Sequence, residues 1–353
     1  TEDLLALADQ VTTERCDRER DMLVTAGERI AMALLCMALQ KRGCESISFT
    51  GSQAGIMTND RHQDARIIEV RPVRVQDELS RGKVVVVAGY QGMSYKREIT
   101  TLGRGGSDTT AVALAAALDA ERCEIYSDVD GVYSADPRVV ADAAHLPEVD
   151  YDTVQEMAES GAKVLCAQAV EWARRANIAL YARSTFDPVA DAPRQTLIRK
   201  FGPRSQPRAR AVVADSDVVL GIAPGLDHAE RLAEVLQLLT DAGVRLRQVQ
   251  QQQGATGLVL SVTNAPQWNS ARRQAQRVVP NLSWREDVAL ISVTGSGLTD
   301  DAASVTRFQQ LLDELDASPR LVNATALRLS AVVDQQQVDR AQRSLHEAFV
   351  AIE

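Results

Sequence analysis

The chain has 353 residues, 45% hydrophobic and 25% charged, with 48 acidic against 39 basic side chains and a net charge of −9. At ~100–200 residues per domain it can build two or three domains with real cores. The acidic balance excludes a DNA- or RNA-binding protein, which needs a basic footprint, but not the binding of small anions by a few local cations. Aromatics are only 4%, too few for a stacking platform. The five cysteines (16, 36, 44, 123, 166) are scattered and never in CxxC spacing. That points away from a disulfide framework or a zinc site and toward a reducing cytoplasm. The opening residues lack the basic region of a signal peptide, and no uninterrupted apolar run approaches the ~18 residues of a membrane span.

Apolar residues at helical spacing (Leu23, Ile30, Leu34, Met37) predict a helix over 20–42, stopped by Gly43. Ile47–Thr50 predicts a short strand. The β-branched run Val84–Ala88 predicts a strand buried on both faces, as in a parallel sheet. A helix is expected from the glycines at 103–106 to about Ala120, then a strand at Glu124–Ser127. A helix over 152–176 and a strand at Ile178–Arg183 complete the first part. This alternation predicts an α/β domain with a mostly parallel sheet. The Pro- and Arg-rich stretch 199–210 predicts a linker.

A smaller unit then repeats. Strand Val218–Ile222 precedes a helix opened by an Asp227/Glu230 capping box and stopped by Gly243. Strands Val244–Val249 and Leu258–Val262 and a helix over 266–279 follow. The order recurs as strand Val288–Val293, helix 301–316, strands around 320–333 and helix 335–350. Two βαββα units of about 70 residues predict a pair of α+β sandwiches that can share strands.

The densest chemical signal is Thr100-Thr-Leu-Gly-Arg-Gly-Gly-Ser-Asp-Thr-Thr-Ala111. Glycines and a Ser-Asp pair sit where a loop becomes a helix. Such a start suits an anion, and Arg104 adds a fork for carboxylate or phosphate. The same residues also suit a tight turn with an ordinary N-cap. The second signal is Tyr126-Ser-Asp-Val-Asp-Gly-Val-Tyr-Ser-Ala-Asp-Pro-Arg138. It leaves a strand at the carboxyl edge, where open α/β sheets bind ligands. Tyr133 offers a flat face and Arg138 a cation, in what is otherwise a long turn-rich loop. Its Asp-x-Asp-Gly lacks the later glutamate of a calcium loop. Glu28 follows Gly27 inside the first helix. Lys163 stands beside small residues in Gly161-Ala-Lys-Val-Leu165, expected on a helix. Each of these two is also a plain surface charge.

Together these motifs, with Gly-Glu-Arg-Ile at 27–30 and Tyr90-Gln-Gly92, resemble the aspartate kinases. That group of the amino acid kinase family carries two ACT regulatory domains. The resemblance covers nearly the whole chain, in the family's order. It implies a kinase domain over 1–200, a linker at 201–212, one ACT domain at 213–285 and a second at 286–353. It implies transfer of the ATP γ-phosphoryl group to the β-carboxylate of L-aspartate, with Mg2+ accompanying the ATP and no protein metal site. Carried over by motif, Arg104, Asp108 and Lys163 form the catalytic set. Glu28, Tyr90, Arg104, Ser107 and Asp108 hold aspartate. Tyr90 stands for the aromatic residue of the family's Phe-x-Gly segment. Ser127, Asp128, Tyr133, Asp136, Arg138 and Lys163 hold the nucleotide. Also implied are a lysine or threonine effector at the ACT domains, a homodimer or higher oligomer, a cytoplasmic location, and neither nucleic-acid nor membrane partners.

Two departures from the family pattern stand out. The family opens with a strand and a Lys-Phe/Tyr-Gly-Gly loop. This chain starts at Thr1-Glu-Asp-Leu-Leu, similar to a later segment in which Thr1 touches the aspartate site. Lys200-Phe201-Gly202 is a decoy, being followed by Pro203 in the linker. An opening unit of ~30 residues is therefore expected outside this sequence, since a parallel sheet stripped of a central strand is unstable. Where the first ACT unit usually has an Asn-rich loop, this chain has Gln248-Val-Gln-Gln-Gln-Gln253. Gly295-Ser-Gly297 matches the second unit's turn, with Asn323 and Thr325 as polar contacts. The competing readings are a non-catalytic amino-acid sensor on a truncated kinase scaffold, and a kinase for glutamate, acetylglutamate or a nucleotide.

Overall fold

The computed structural model describes residues 2–12, 16–103, 105–163, 165–186, 194–201, 208–226, 228–252, 254–263, 265, 267–317 and 319–350. In chain order they form α1 (Glu2–Val11), α2 (Asp17–Lys41), β1 (Ser46–Phe49), β2 (Ile56–Thr58), β3 (Ile67–Val70), α3 (Val73–Ser80), β4 (Val84–Val87), β5 (Gln91–Ser94), β6 (Ile99–Thr101), α4 (Gly106–Ala117), β7 (Arg122–Ser127), β8 (Val132–Tyr133), β9 (His145–Leu146), β10 (Glu148–Asp150), α5 (Tyr151–Glu159), α6 (Ala167–Ala176), β11 (Ala179–Ser184) and β12 (Gln195–Arg199). Then come β13 (Arg208–Asp215), β14 (Val218–Pro224), α7 (Ala229–Asp241), β15 (Arg245–Gln252), β16 (Ala255–Ser261), α8 (Trp268–Val278), β17 (Ser283–Arg285), β18 (Val288–Ser296), α9 (Ala302–Glu314), β19 (Leu321–Ala324), β20 (Arg328–Asp334) and α10 (Val338–Phe349). They divide into two compact units. The first holds 1–131, 147–151 and 164–200; the second holds 132–146, 152–163 and 201–353.

The first unit is the expected mixed α/β body. Parallel pairs join β1 to β4, β2 to β5, β7 to β11 and β10 to β12, with antiparallel strands completing the sheets. Val84–Val87 is parallel as expected but not buried on both faces: among the described residues β4 pairs with β1 alone, and Val84 is 43% exposed. The buried face of α2 carries Asp21, Val24, Thr25 and Cys36, while Ile30, Leu34 and Met37 are exposed. Helix α2 also corrects the reading of apolar runs. Despite Glu28 and Arg29 it is long and apolar enough, by length and composition, to cross a membrane. The helix expected over 152–176 is two helices, α5 and α6. Gly161 has φ +109° between them, so Lys163 lies in a connection and not on a helix.

In the second unit, β14, α7, β15, β16, α8 and β17 close a βαββαβ module with antiparallel sheet order β15-β16-β14-β17. β18, α9, β19, β20 and α10 form the next, ordered β13-β18-β20-β19. The linker expected over 201–212 therefore ends early: from Arg208 the chain is strand β13, and it belongs to the second module. The first module is nested between β13 and β18. The helix expected to open at Asp227 begins at Ala229, with His228 as its uncapped N-cap, and Asp227 lies outside the described residues. Asp301 does cap α9, accepting from the Ser304 amide at 2.8 Å.

Alternation along the strands explains the continuous apolar runs here. Val219 and Ala223 face α7 and α8 with Leu239 and Trp268. Their neighbours Val218 and Leu220 meet Val288, Leu290 and Val332 of the other sheet. Ala289, Ile291 and Val293 face α9 and α10. Each central strand is thus apolar on both sides. Gly221 is required because a Cβ there would lie 2.6 Å from the Trp284 ring. Leu312 is fully buried in the second module's core. Leu312→Ala should cost about 3 kcal/mol through the cavity it leaves, seen as a lower denaturant midpoint with unchanged slope.

Candidate active site

Helix α4 begins from a left-handed cap at Gly105 (φ +73°), no side chain capping it. A Cβ on Gly105 would lie 2.4 Å from the Cβ of Cys166, and one on Gly106 would press on Leu102 and the Tyr90 ring. Three segments therefore close on this helix start, where backbone amides and the dipole favour an anion. Ser107 is exposed in the first turn, and burial pushes the Asp108 carboxyl up. Tyr90 adopts φ +67°. Its amide donates to Thr110 Oγ1 at 3.1 Å and its carbonyl accepts from Leu102 at 2.9 Å. Burial raises its hydroxyl, and Thr101 and the charge of Glu28 act on it. Glu28, Tyr90, Ser107 and Asp108 are thus gathered in one unit. Arg104 and Thr1 lie outside the described residues.

Behind this cluster is a group that the sequence reading missed. Asp21 is fully buried and accepts from Thr101 Oγ1 at 2.6 Å, the Thr101 amide at 3.2 Å, the Gln63 amide at 3.1 Å and His62 Nδ1 at 2.7 Å. Burial pushes its carboxyl up, and these hydrogen bonds pull it back. Four donors on two oxygens suit a carboxylate. It ties α2 to the end of β6, two residues before the glycine-rich loop. Also missed was Thr50-Gly-Ser-Gln53, which leaves the carboxyl end of β1. A Cβ on Gly51 would overlap the Gln91 carbonyl. A glycine turn directly after a strand is the signal that could have found it.

The residues expected to hold a nucleotide fall in both units. In the first, Ser127 ends β7 with its hydroxyl 3.2 Å from the Val129 backbone, and Asp128 is exposed. In the second, the Tyr133 ring meets His145 edge-on at 5.4 Å. Arg138 grips Asp136 through Nε and Nη2, holding that carboxyl below its usual range with help from Lys163. Lys163 Nζ lies 3.7 Å from Asp217 and remains exposed. Ser134, between Tyr133 and Asp136, accepts from the Ala144 amide at 2.8 Å and lies 2.8 Å from His346 Nε2 on α10.

In the two modules, Gln248, expected to face an effector, is buried and donates to Ser330 at 2.8 Å, joining the sheets. Thr325 caps its own turn with Arg328, Asn323 is half-buried on β19, and Gly297 has φ +67°. Gln253 and Gly202 lie outside the described residues. Among the described residues, no three His, Cys, Asp or Glu side chains form a metal-binding group.

The amino acid kinase family model matches residues 3–184. The chain is 38% identical to aspartokinase of Corynebacterium glutamicum, over 99% of this chain and 85% of that protein. This chain is an aspartokinase by family. The Mycobacterium tuberculosis aspartokinase is 39% identical over the same shares. Among solved aspartokinases, E. coli aspartokinase III in complex with aspartate and ADP superposes with a TM-score of 0.83 at 26% identity, covering 98% of this chain and 79% of that one. The lysine- and aspartate-bound T-state of that enzyme gives 0.71 at 27% identity, covering 99% and 79%.

Two outcomes follow for this aspartokinase chain. Asp21→Ala strands the buried Thr101 amide and hydroxyl and the part-buried Gln63 and His62 donors, and should cost about 3 kcal/mol in chemical denaturation. Burial holds the His346 imidazole below its ordinary pKa, with Asp142 pulling the other way. The unfolded chain binds that proton more readily, so stability should fall as pH drops through about 6.5. Thermal midpoints across that range should fall less in His346→Gln.

Proposed function

We propose that the chain transfers the ATP γ-phosphoryl group to the β-carboxylate of L-aspartate, giving 4-phospho-L-aspartate for lysine, threonine and methionine synthesis. The observation that carries this is near-full-length identity to aspartokinases. The gathering of Glu28, Tyr90, Ser107 and Asp108 around a helix start supports it. Aspartate carries two carboxylates and an ammonium. Arg104 grips a carboxylate in two places, and Glu28 meets the ammonium. Ser107 and Asp108 line the helix start, and Tyr90 walls it. Lys163 and Arg138 offer cations to the phosphates, with Ser127, Asp128, Tyr133 and Asp136 holding the rest of the nucleotide.

A β-carboxylate oxygen attacks the γ-phosphorus, and the bond to the β–γ bridging oxygen breaks, releasing ADP. The carboxylate is already ionised at neutral pH, so no general base is needed. Positioning and cations perform the catalysis. Mg2+ comes with ATP, where it neutralises phosphate charge. Of this chain's side chains, the exposed Asp128 carboxylate would suit such an ion.

The kinase domain spans 1–200. The regulatory modules correspond to 213–285 and 286–353, with β13 added to the second. A lysine or threonine effector at these modules, a homo-oligomer and a cytoplasmic location complete the reading. The test is aspartate-dependent ADP release by the purified protein with Mg2+ and ATP, the acyl phosphate being trapped by hydroxylamine. Arg104→Ala should raise the aspartate KM and lower kcat by tenfold or more, on the order of one or two lost charged hydrogen bonds. No ADP release above background with aspartate would refute the function.

A further inference from the structure

The second compact unit contains more than the regulatory modules. It includes 132–146 and 152–163, which carry Tyr133, Asp136, Arg138 and Lys163. Two sets of side-chain contacts explain why.

The first set holds the loop 132–146 on α10. Ser134 Oγ accepts from the Ala144 amide at 2.8 Å and shares a second hydrogen bond with His346 Nε2, also at 2.8 Å. His346 is 2% exposed, and among the described residues its Nδ1 has no hydrogen-bond partner. Such a buried imidazole is kept in place by its one good bond and its packing. The Ser134 carbonyl accepts from the Val212 amide of β13 at 2.7 Å, and the Val212 carbonyl accepts from Gln342 of α10 at 3.0 Å. One turn along, Arg343 donates to the Val139 carbonyl at 3.0 Å.

The second set holds 152–163 on the module strands. Arg247 of β15 donates to the Glu159 carbonyl at 3.0 Å and to Asp215 of β13 at 3.3 Å. Gly161 sits on Asp215 so closely that a Cβ would lie 2.5 Å from the Asp215 Cβ. Lys163 follows two residues later. Arg328 of β20 pairs with Glu156 at 3.4 Å.

We infer that Arg247 and His346, both on regulatory elements, are positioning residues for the ATP side of the site. The inference rests on the assignment of Tyr133, Asp136, Arg138 and Lys163 to the nucleotide. His346 sets the loop that carries the first three; Arg247 sets the bend that carries Lys163. Glu28, Tyr90, Ser107 and Asp108, assigned to aspartate, belong to the first unit.

The experiment compares steady-state kinetics of the full chain with Lys163→Ala, His346→Leu, His346→Gln, Arg247→Met and Arg247→Lys. His346→Leu should raise the ATP KM about fivefold to tenfold, the worth of one buried hydrogen bond, with the aspartate KM unchanged. His346→Gln keeps a donor and an acceptor near the Nε2 position and should restore the ATP KM. Arg247→Met should act like His346→Leu. Arg247→Lys, with a point charge in place of a fork, should fall between. A raised ATP KM in Lys163→Ala, with no change in His346→Leu and Arg247→Met, overturns the inference and leaves the nucleotide assignment standing. Equal rises in both KM values, or no rescue by His346→Gln, also overturn it, because a merely structural role would give those results. An unchanged ATP KM in Lys163→Ala overturns the nucleotide assignment and the inference with it.

Discussion

The antiparallel pairing of β13 with β18 is the contact on which the second half depends. Its register places Val212 opposite Val293 and Asp215 opposite Leu290. From there Val212 meets Ser134, and Asp215 meets Arg247 and Gly161. The strand cannot slip by one residue. A slip would turn Val212 out of the α9–α10 core and exchange every inward and outward side chain. One ladder therefore fixes a module core and two loops rich in cations and carboxylates. Pressure on one sheet also reaches the other, because Val218, Leu220, Val288, Leu290 and Val332 share a tightly packed layer.

The other unit is organised by a buried charge. A carboxylate removed from water is costly unless its lone pairs are filled. Asp21 fills them from two separate segments: Thr101 at the end of β6, and the adjacent His62 and Gln63. This gives α2 a definite seat against β6 and limits the freedom of the glycine-rich loop beyond it. Glycines alone would leave that loop loose. Packing of Cys166 and Tyr90 against Gly105 and Gly106 removes the slack. A small, charged substrate needs such a site, since its few atoms supply little contact area to order a loose one.

The parts legible in sequence have local causes. The helices at 17–41, 229–241 and 302–314 show apolar residues at helical spacing or a capping residue, and the central module strands show largely apolar runs. The motif at 100–111 declared a helix start because glycine, serine and aspartate act within a few residues. The parts that were not legible have distant causes. Asp21 finds partners 41 and 80 residues away. Strands β2, β3, β5 and β6 are three or four residues long, too short to show a period. Gly161 breaks a segment whose apolar spacing stays helical on both sides. The Pro- and Arg-rich lead-in hid Ala211-Val-Val213, whose partner strand follows a whole intervening module.

That nesting governs how the protein is made. Ala211 and Thr294, bonded across the ladder, are 83 residues apart. At ~5–20 residues per second, a nascent chain exposes β13 for several seconds before β18 leaves the ribosome. The nested module can close in that interval, but β13 must wait as an unpaired apolar edge, the kind that recruits foreign strands. Arg210 within β13 puts a charge on that waiting strand, of the kind that discourages pairing with foreign chains.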